Sequence, residues 1–507
     1  MRWLDRITGT VTMYRLVLIC LLALLVEALL VSLTGQLVPY SALGILAAGA
    51  VAVAVSYLSN RLAAVILRVR PHSESSIITG LILLFLFPPV LGGSSLLAIG
   101  VAALLATVSK YLLAIRRRHV FNPAAAGAFV TSLILPLNGP SWWVATPWLL
   151  PLVVVTAFLI LQRTRHLLMG IVFVIIAGAA VVAITLASGT EALGGALATA
   201  FESFPIVFFA GFMLSEPLTL PPRRWQQLAE SVIVGVLFGL EAIGFHVGPV
   251  YASPLIALLI GNVLAFTFGQ RRGIRLDFVG RQQLTPTSWE LSFRPQRPVA
   301  FRAGQYMELS IPHAGADLRG MRRIFSVASA PVESEVIRFG LRTAERSSSF
   351  KTALLGLHPG ETITATAVGG DFLLPKDPEL PLLFVAGGIG ITPFVSHLAQ
   401  LTGAGERRDT VLVYTASSAA ELAYAERLAT FGTAVLVVAP EKPETLAENW
   451  VYLGQGPVTA ELIMSAVPDA RSRAAFVSGP PTLVHDLRRS LRAAKVRRVK
   501  TDFFSGY

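Results

Sequence analysis

Apolar residues dominate the first half of the chain in long runs, and alternate with polar ones through the second. Ten apolar segments can be marked: 14–34, 41–60, 76–90, 94–115, 123–137, 142–162, 167–187, 196–214, 231–248 and 253–270. A helix needs about 20 residues to cross a hydrocarbon layer. The third and fifth segments are shorter and carry Pro88-Pro89 or Asn122-Pro123, and the eighth is interrupted at Pro205. Short or broken segments are expected of helices that stop part-way around a binding site; kinked ordinary helices are the bland alternative. Ser75 to Gly80 and Phe121 to Gly127, in the third and fifth segments, have weak counterparts in Phe204 to Gly211 and Tyr251 to Ile256, in the eighth and tenth. Two halves of five segments each have opposite topology, an inverted repeat with a site at its interface.

The pattern changes near Arg271-Arg272-Gly273. Runs such as Trp289-Glu290-Leu291-Ser292-Phe293 alternate and are punctuated by Gly304, Pro312, Gly315 and Pro331, which predicts a small antiparallel β-barrel. From Leu380 onward the pattern is strand, turn and helix repeated, which predicts a doubly wound α/β domain. The expected architecture is a polytopic α-helical membrane domain over 1–272, an antiparallel β-barrel over 273–378 and a nucleotide domain over 379–507.

Composition sharpens this. Of 507 residues, 54% are hydrophobic and 14% charged, against about 25% charged in soluble domains. The net charge of +12 is uneven. Residues 1–272 hold 16 Lys and Arg against 8 Asp and Glu, and the remainder 26 against 22. Arg61/Arg68/Arg70, Lys110/Arg116/Arg117/Arg118, Arg163/Arg165, Arg223/Arg224 and Arg271/Arg272 alternate with loops that lack bases. That is the distribution of basic cytoplasmic loops, not of a nucleic-acid-binding face. It implies a multi-pass protein of a bacterial cytoplasmic membrane with both termini and the second half in the cytoplasm. The first apolar run lacks a small-residue cleavage site and does not read as a signal peptide. A single cysteine, Cys20, excludes a disulfide framework, a thiolate zinc site and a protein-ligated iron–sulfur cluster. His72, His119, His166 and His246 are not paired within helices, which argues against stacked haems, and no metal site is expected. Acids inside segments are Glu27, Glu202, Glu216 and Glu241, costly in lipid and therefore candidates for sites or proton paths.

In the second half, Gly387-Gly388-Ile389-Gly390-Ile391-Thr392-Pro393 follows an apolar strand, as a backbone approaching a pyrophosphate requires. It lies downstream of Arg323-Ile324-Phe325-Ser326 and upstream of Ser478-Gly479-Pro480-Pro481. In that order these motifs resemble the ferredoxin–NADP reductase superfamily over residues 275–507. The resemblance implies that Arg323, Ser348 and Ser349 hold FAD phosphates, that Phe325 stacks on the isoalloxazine, and that Ser326 approaches flavin N5. It further implies that Gly370 and Phe372 form a turn near the flavin. Gly387, Gly388, Gly390, Thr392, Pro393, Gly479 and Pro480 would receive NADH or NADPH, with Ser478 standing where the family has a catalytic Cys. The terminal Tyr507 would cover the flavin, or belong to a packed tail. The stretch 415–420, Thr-Ala-Ser-Ser-Ala-Ala, has no base for a 2′-phosphate, which favours NADH.

In the first half, Ser75-Ser76-Ile77-Ile78-Thr79-Gly80, Phe121-Asn122-Pro123-Ala124 and Phe209-Ala210-Gly211-Phe212-Met213-Leu214-Ser215-Glu216-Pro217 resemble the D subunit of Rnf and the B subunit of sodium-pumping NADH:quinone reductase. That resemblance implies an FMN, either esterified to Thr146 of Ala145-Thr146-Pro147 or, like a riboflavin, held without a bond around Asn122, Thr79 and Glu216. Thr-Pro is also an ordinary helix start. The function implied is transmembrane electron transfer from NAD(P)H through FAD to a membrane flavin, then to a quinone or an extracytoplasmic acceptor, with ion translocation left open. A channel or transporter regulated by a fused flavin reductase is the alternative. The acceptor and the oligomeric state are not written in the sequence, and a homo-oligomer is compatible with it.

Overall fold

The computed structural model describes residues 12–67, 73–115, 118–135, 139–189, 191–247, 250–268, 273–313, 317, 321–333, 335–344, 347–496 and 498–503. The chain forms two compact units, Met1–Arg272 and Gly273–Tyr507. Arg68, Arg70, His72, Arg116, Arg117, Arg271, Arg272 and Tyr507, singled out above, lie outside the described residues.

The first unit is helical. Its helices are α1 (Met13–Leu33), α2 (Ala42–Ile66), α3 (Ser73–Leu86), α4 (Gly93–Leu112), α5 (Pro123–Ile134), α6 (Leu150–Thr164), α7 (Leu167–Ala187), α8 (Leu193–Ser203), α9 (Ile206–Leu214), α10 (Arg224–Gly239) and α11 (Pro254–Phe268). Five are long and apolar enough to cross a membrane, or six spans if α8 and α9, bent by 48°, count as one. The bend falls at Pro205, which cannot donate to the helix ladder. The helices α3, α5, α6 and α11 have only 10–17 residues. The expected sixth segment begins late because 142–149 forms an irregular turn. The ninth begins early: Gln226 and Glu230, polar in the sequence, are buried in the first turns of α10.

Pairings recur between the halves. α2 packs on α4 as α7 packs on α10, α4 on α5 as α10 on α11, and α5 meets α11 at the seam. There the Asn122 backbone N–H donates to Asn262 Oδ1 at 2.7 Å. Gly235 and Gly239 of α10 let its backbone close on Ile176, Ala177 and Ala180 of α7, small-residue packing of the kind used where apolar surroundings give no hydrophobic drive. Large apolar side chains also point outward. Ile19, Leu22, Val26, Leu30 and Leu33 run down one exposed stripe of α1.

The second unit begins with six antiparallel strands, β1 (Ile274–Gln283), β2 (Ser288–Pro295), β3 (Tyr306–Ser310), β4 (Arg322–Ser326), β5 (Ile337–Arg342) and β6 (Thr362–Gly369), in the order β4-β3-β6-β1-β2-β5. The expected barrel is a curled sheet whose edge strands β4 and β5 are linked by a single bridge, Val327 to Phe339, not by a continuous ladder. A short helix, α12 (Ser349–Leu355), follows β5, and Phe350 and Leu354 bury its apolar face in the sheet core. Six parallel strands come next: β7 (Leu382–Gly387), β8 (Thr410–Thr415), β9 (Ala434–Val438), β10 (Trp450–Gly454), β11 (Ala474–Gly479) and β12 (Arg498–Phe503), ordered β10-β9-β8-β7-β11-β12. β7 and β11 are buried along their whole length, as apolar strands covered on both faces must be. Helices α13 (Thr392–Gly403) and α14 (Pro481–Ala493) follow β7 and β11. Strand order reverses between β7 and β11, the topological switch at which open α/β sheets bind ligands.

Candidate functional site

Two glycine turns meet at that switch. A Cβ on Gly390 would lie 2.5 Å from Gly479 Cα, and one on Gly479, where φ is +153°, would lie 3.1 Å from Gly387 N, Cα and O. The two turns therefore pack backbone against backbone, with no room for a side chain between them. Gly388, at φ +53°, faces open space with only Arg342 Nη1 within reach, 3.8 Å from a would-be Cβ. Thr392 and Pro393 open α13, whose N-terminus favours an anion.

Ser326 Oγ donates to Asp502 Oδ2 at 3.2 Å, and Asp502 is the register partner of Ser478 across β11 and β12. Ser478 is fully buried, and its Oγ has no hydrogen-bond partner among the described residues. Three polar side chains from three strands thus converge beside the glycine turns.

A second cluster surrounds Arg323. Its guanidinium lies 3.5 Å from Asp317 and over the Phe350 ring at 5.4 Å. The Ser349 N–H donates to Asp317 Oδ2 at 3.1 Å, Ser349 Oγ accepts from the Asp317 N–H at 2.9 Å, and His313 Nε2 is 3.0 Å from the same hydroxyl. This donor set already holds a carboxylate, so its chemistry fits a phosphate oxygen.

Residues 384–489 match the family described as the oxidoreductase NAD-binding domain, a span that includes both glycine turns. The reductase subunit of an aromatic O-demethylase from an Amycolatopsis species is 29% identical over 211 residues, 40% of this chain and 59% of that protein. The NADH oxidoreductase HCR of Escherichia coli is 26% identical over 227 residues, 44% of this chain and 66% of that protein. The chain thus spans less than two thirds of the length of these relatives. A crystal structure of an Amycolatopsis cytochrome P450 reductase aligns with a TM-score of 0.40 at 26% identity, covering 46% of this chain and 70% of that one. The second unit is a ferredoxin reductase-type FAD/NAD-binding domain.

Within this reductase-type unit the remaining predicted residues fall as follows. Phe325 shares the Arg323 face of β4 and stacks on Phe350 at 6.0 Å, so the ring is 8% exposed and part of the sheet core. Ser348 caps α12, accepting from the Lys351 N–H at 3.4 Å. Gly370 sits at φ +109° against the Tyr306 ring. Phe372 turns away into the core of the parallel sheet, edge-on to Phe476 at 5.2 Å, and its carbonyl accepts from His397 Nε2 at 2.9 Å. Burial pushes His397 down to about 3, so the ring is neutral. Sequence reasoning missed Asp502, whose only signal was an acid close to the end of the chain, and Arg342. Arg342 Nη2 lies 3.4 Å from Ser417 Oγ, bringing a base from the antiparallel sheet to the stretch that has none of its own.

The helical unit has a mainly apolar pocket of its own, of about 60 Å³, lined by Ile78, Ile82 and Phe212 among others, into which Ser75, Thr79, Lys110, Asn122, Ser215 and Glu216 bring polar groups. Lys110 Nζ donates to Ser75 O at 3.2 Å, Ser75 Oγ at 3.1 Å and Thr79 Oγ1 at 2.9 Å. His119 Nε2 is 3.2 Å from Glu216 Oε1. Lys110, counted among the loop bases above, is thus a pocket residue. Asn122 caps α5 through the Ala125 N–H at 3.1 Å. Asn122, Thr79 and Glu216 all line this one pocket. Thr146 does not join them: its turn docks on the far end of α3, where Ser141 and Trp142 N–H donate to Leu86 O. Leu86 is 11 residues from Ser75 along that helix, roughly 16 Å at helical rise. Nor does the pocket fit a flavin as packed. About 60 Å³ holds a few waters, against roughly 300–1,000 Å³ for pockets that enclose cofactor-sized ligands.

Proposed function

We propose that this chain is a membrane-anchored NAD(P)H-oxidising flavoprotein that passes electrons to a membrane quinone. The observation that carries the reading is the pair of glycine turns that meet where strand order reverses between β7 and β11, with Ser478 beside Gly479 and paired in register with Asp502, which holds Ser326. FAD, when bound, takes a hydride and gives up electrons singly. The residues of this chain supply the geometry. Arg323 and the Ser349 N–H, which here meet the Asp317 carboxylate, would hold the FAD phosphates. The glycine turns admit the nicotinamide nucleotide's pyrophosphate onto the start of α13. Asp502 fixes the Ser326 hydroxyl by accepting its proton in a hydrogen bond, and Ser478 gives the crevice wall a small polar edge.

The relatives named above are reductase components and an NADH oxidoreductase, which supports NAD(P)H as the electron source. The exposed apolar stripes of the long helices support lipid as their surroundings. The Rnf- and Nqr-like motifs support delivery into the helical unit. No electron step is routed through a second flavin there, because the pocket does not fit one.

The test is made on the purified intact chain: flavin stoichiometry, and oxidation of NADH and NADPH with a one-electron dye or a soluble quinone. One FAD per chain with quinone-dependent turnover supports the proposal. A second flavin would mean that the helical pocket opens beyond its packed size. The small pocket favours one other reading, a solute pathway regulated by the reductase. Dye reduction with no quinone reduction, together with solute uptake into liposomes, would move that reading to first place.

A further inference from the structure

Glu230 lies in the second turn of α10, is 3% exposed, and neither carboxyl oxygen has a hydrogen-bond partner among the described residues. Its position is closed from the α11 side, where a Cβ on Gly261 would stand 3.3 Å from Oε1. In the matching helix pair of the first half, α5 closes through Gly127 directly on the backbone of Ala102 and Ala106, whereas here a carboxyl stands in the seam. Glu27 and Glu216 each bury one unpartnered carboxyl oxygen among the described residues, Glu230 both, and two acids other than Glu230 meet a base. Glu216 has His119, and Glu74 has Arg15 at 2.8 Å.

The charged and titratable groups on the elements packed against α10 are few. α7 and α11 carry none. His166 precedes α7, Arg224 stands in the first turn of α10 itself, and Glu241 lies in the turn that follows it. Arg224 is six residues from Glu230, roughly 9 Å along the axis and turned away by about 120°. Among the described residues, then, no cation meets this carboxyl. A carboxylate enclosed this way has nothing to replace its water, whereas the neutral acid needs only a proton.

We propose that Glu230 is a proton-binding site of the helical unit, exchanging its proton with water at the basic end of α10. The step is a simple one: the carboxyl O–H bond breaks, the proton goes to water at that end, and the reverse reloads it. The location gives the site a use. Asn262, next to Gly261 on α11, accepts from the Asn122 N–H, and Asn122 lines the pocket that holds Lys110 and Glu216. A change of charge in the pocket is therefore one helix away from a group that can answer it with a proton. This goes beyond the proposed oxidation of NAD(P)H and does not depend on it.

The test uses the full chain in detergent and dicyclohexylcarbodiimide, which reacts with a protonated carboxyl in apolar surroundings, with adducts mapped by mass spectrometry across a pH series. An adduct on Glu230 is expected, falling about tenfold per pH unit once the carboxyl ionises. It is absent from E230Q, which keeps the side-chain shape and should remain monodisperse. The infrared spectrum is a second reading that needs no reagent: a neutral-acid carbonyl band that shifts in D2O and is missing from E230Q. Absence of that band overturns the proposal even if the carbodiimide fails to reach the site. So does an adduct yield indifferent to pH. Protection by sodium at fixed pH would overturn it in favour of a sodium site.

Discussion

The contact between Ser326 and Asp502 joins residues 176 positions apart, at 3.2 Å, on two different sheets. Removing the carboxylate in D502A frees the Ser326 hydroxyl to rotate. Hydride transfer should slow roughly 10²-fold, the usual scale of a positioned proton-handling group, with FAD content unchanged. D502N, whose amide oxygen still accepts, should recover part of the rate. Stopped-flow bleaching of the flavin by NADH reads this directly, and a wild-type rate in D502A would remove Asp502 from the machinery. Arg342 makes a second residue-scale prediction. Its place beside Ser417 puts a base where a 2′-phosphate would lie, against the preference for NADH drawn from local sequence. R342A should raise KM for NADPH more than for NADH, and equal changes would return the preference to the strand itself. These two residues show what the sequence hid. Glycine turns are legible because their chemistry is local, a backbone that must approach a phosphate. Asp502 and Arg342 reach the crevice only through strand pairing and sheet packing, so spacing along the chain carried no trace of them. Lys110 and Glu230 were obscured differently: polar groups facing the inside of a helix bundle read, in one dimension, as loop.

At the scale of elements, the reductase-type unit was the most legible part, because β7 is a bare apolar run and the turn behind it can do little else. The incomplete closure of the antiparallel sheet was not legible, since alternation fixes which face is buried and not how edge strands meet. The resemblance places Gly370 and Phe372 in a turn near the flavin, and the Phe372 ring packs with Phe394, Phe476 and His397 in the core of the parallel sheet. His397 gives that packing a pH signature. Burial holds the ring at about 3 against an ordinary 6.5. Below pH 6.5 the unfolded chain binds a proton that the folded chain does not, so stability is lost as pH falls from 6.5 toward 3, at up to about 1.4 kcal/mol per unit. Above 6.5 this contribution is complete and constant. H397N, whose amide can still donate to Phe372 O, should lower stability at neutral pH and flatten the slope relative to the parent. Urea midpoints at pH 7, 5.5 and 4.5 would show it. Parallel curves for the two proteins would mean that His397 is protonated without unfolding.

For the whole molecule the question is what the helical unit lies in and which way it faces. The outward stripe of α1 and the exposed leucines of α2, Leu58 and Leu62 among them, would be a large apolar patch in water. In lipid they need no partner. Charge then sets direction. Arg61 near the end of α2, Arg163 in the last turn of α6 with Arg165 just after it, and Arg223 and Arg224 at the start of α10 mark one set of helix ends, while 34–41, 188–192 and 244–253 contain no Lys or Arg. Bases stay on the cytoplasmic side during insertion, and the reductase-type unit follows α11 after Arg271 and Arg272. Added NADH, which does not cross a bilayer, should therefore be oxidised by inside-out vesicles, and by right-side-out vesicles only after permeabilisation. The protein should stay with the membrane through an alkaline carbonate wash. The two readings separate the two claims. Release by carbonate would sink the membrane assignment altogether. Retention with equal oxidation by sealed right-side-out vesicles would keep the anchor and reverse its orientation. That result would also shift the basic end of α10, and with it the water that Glu230 addresses, to the other side of the membrane.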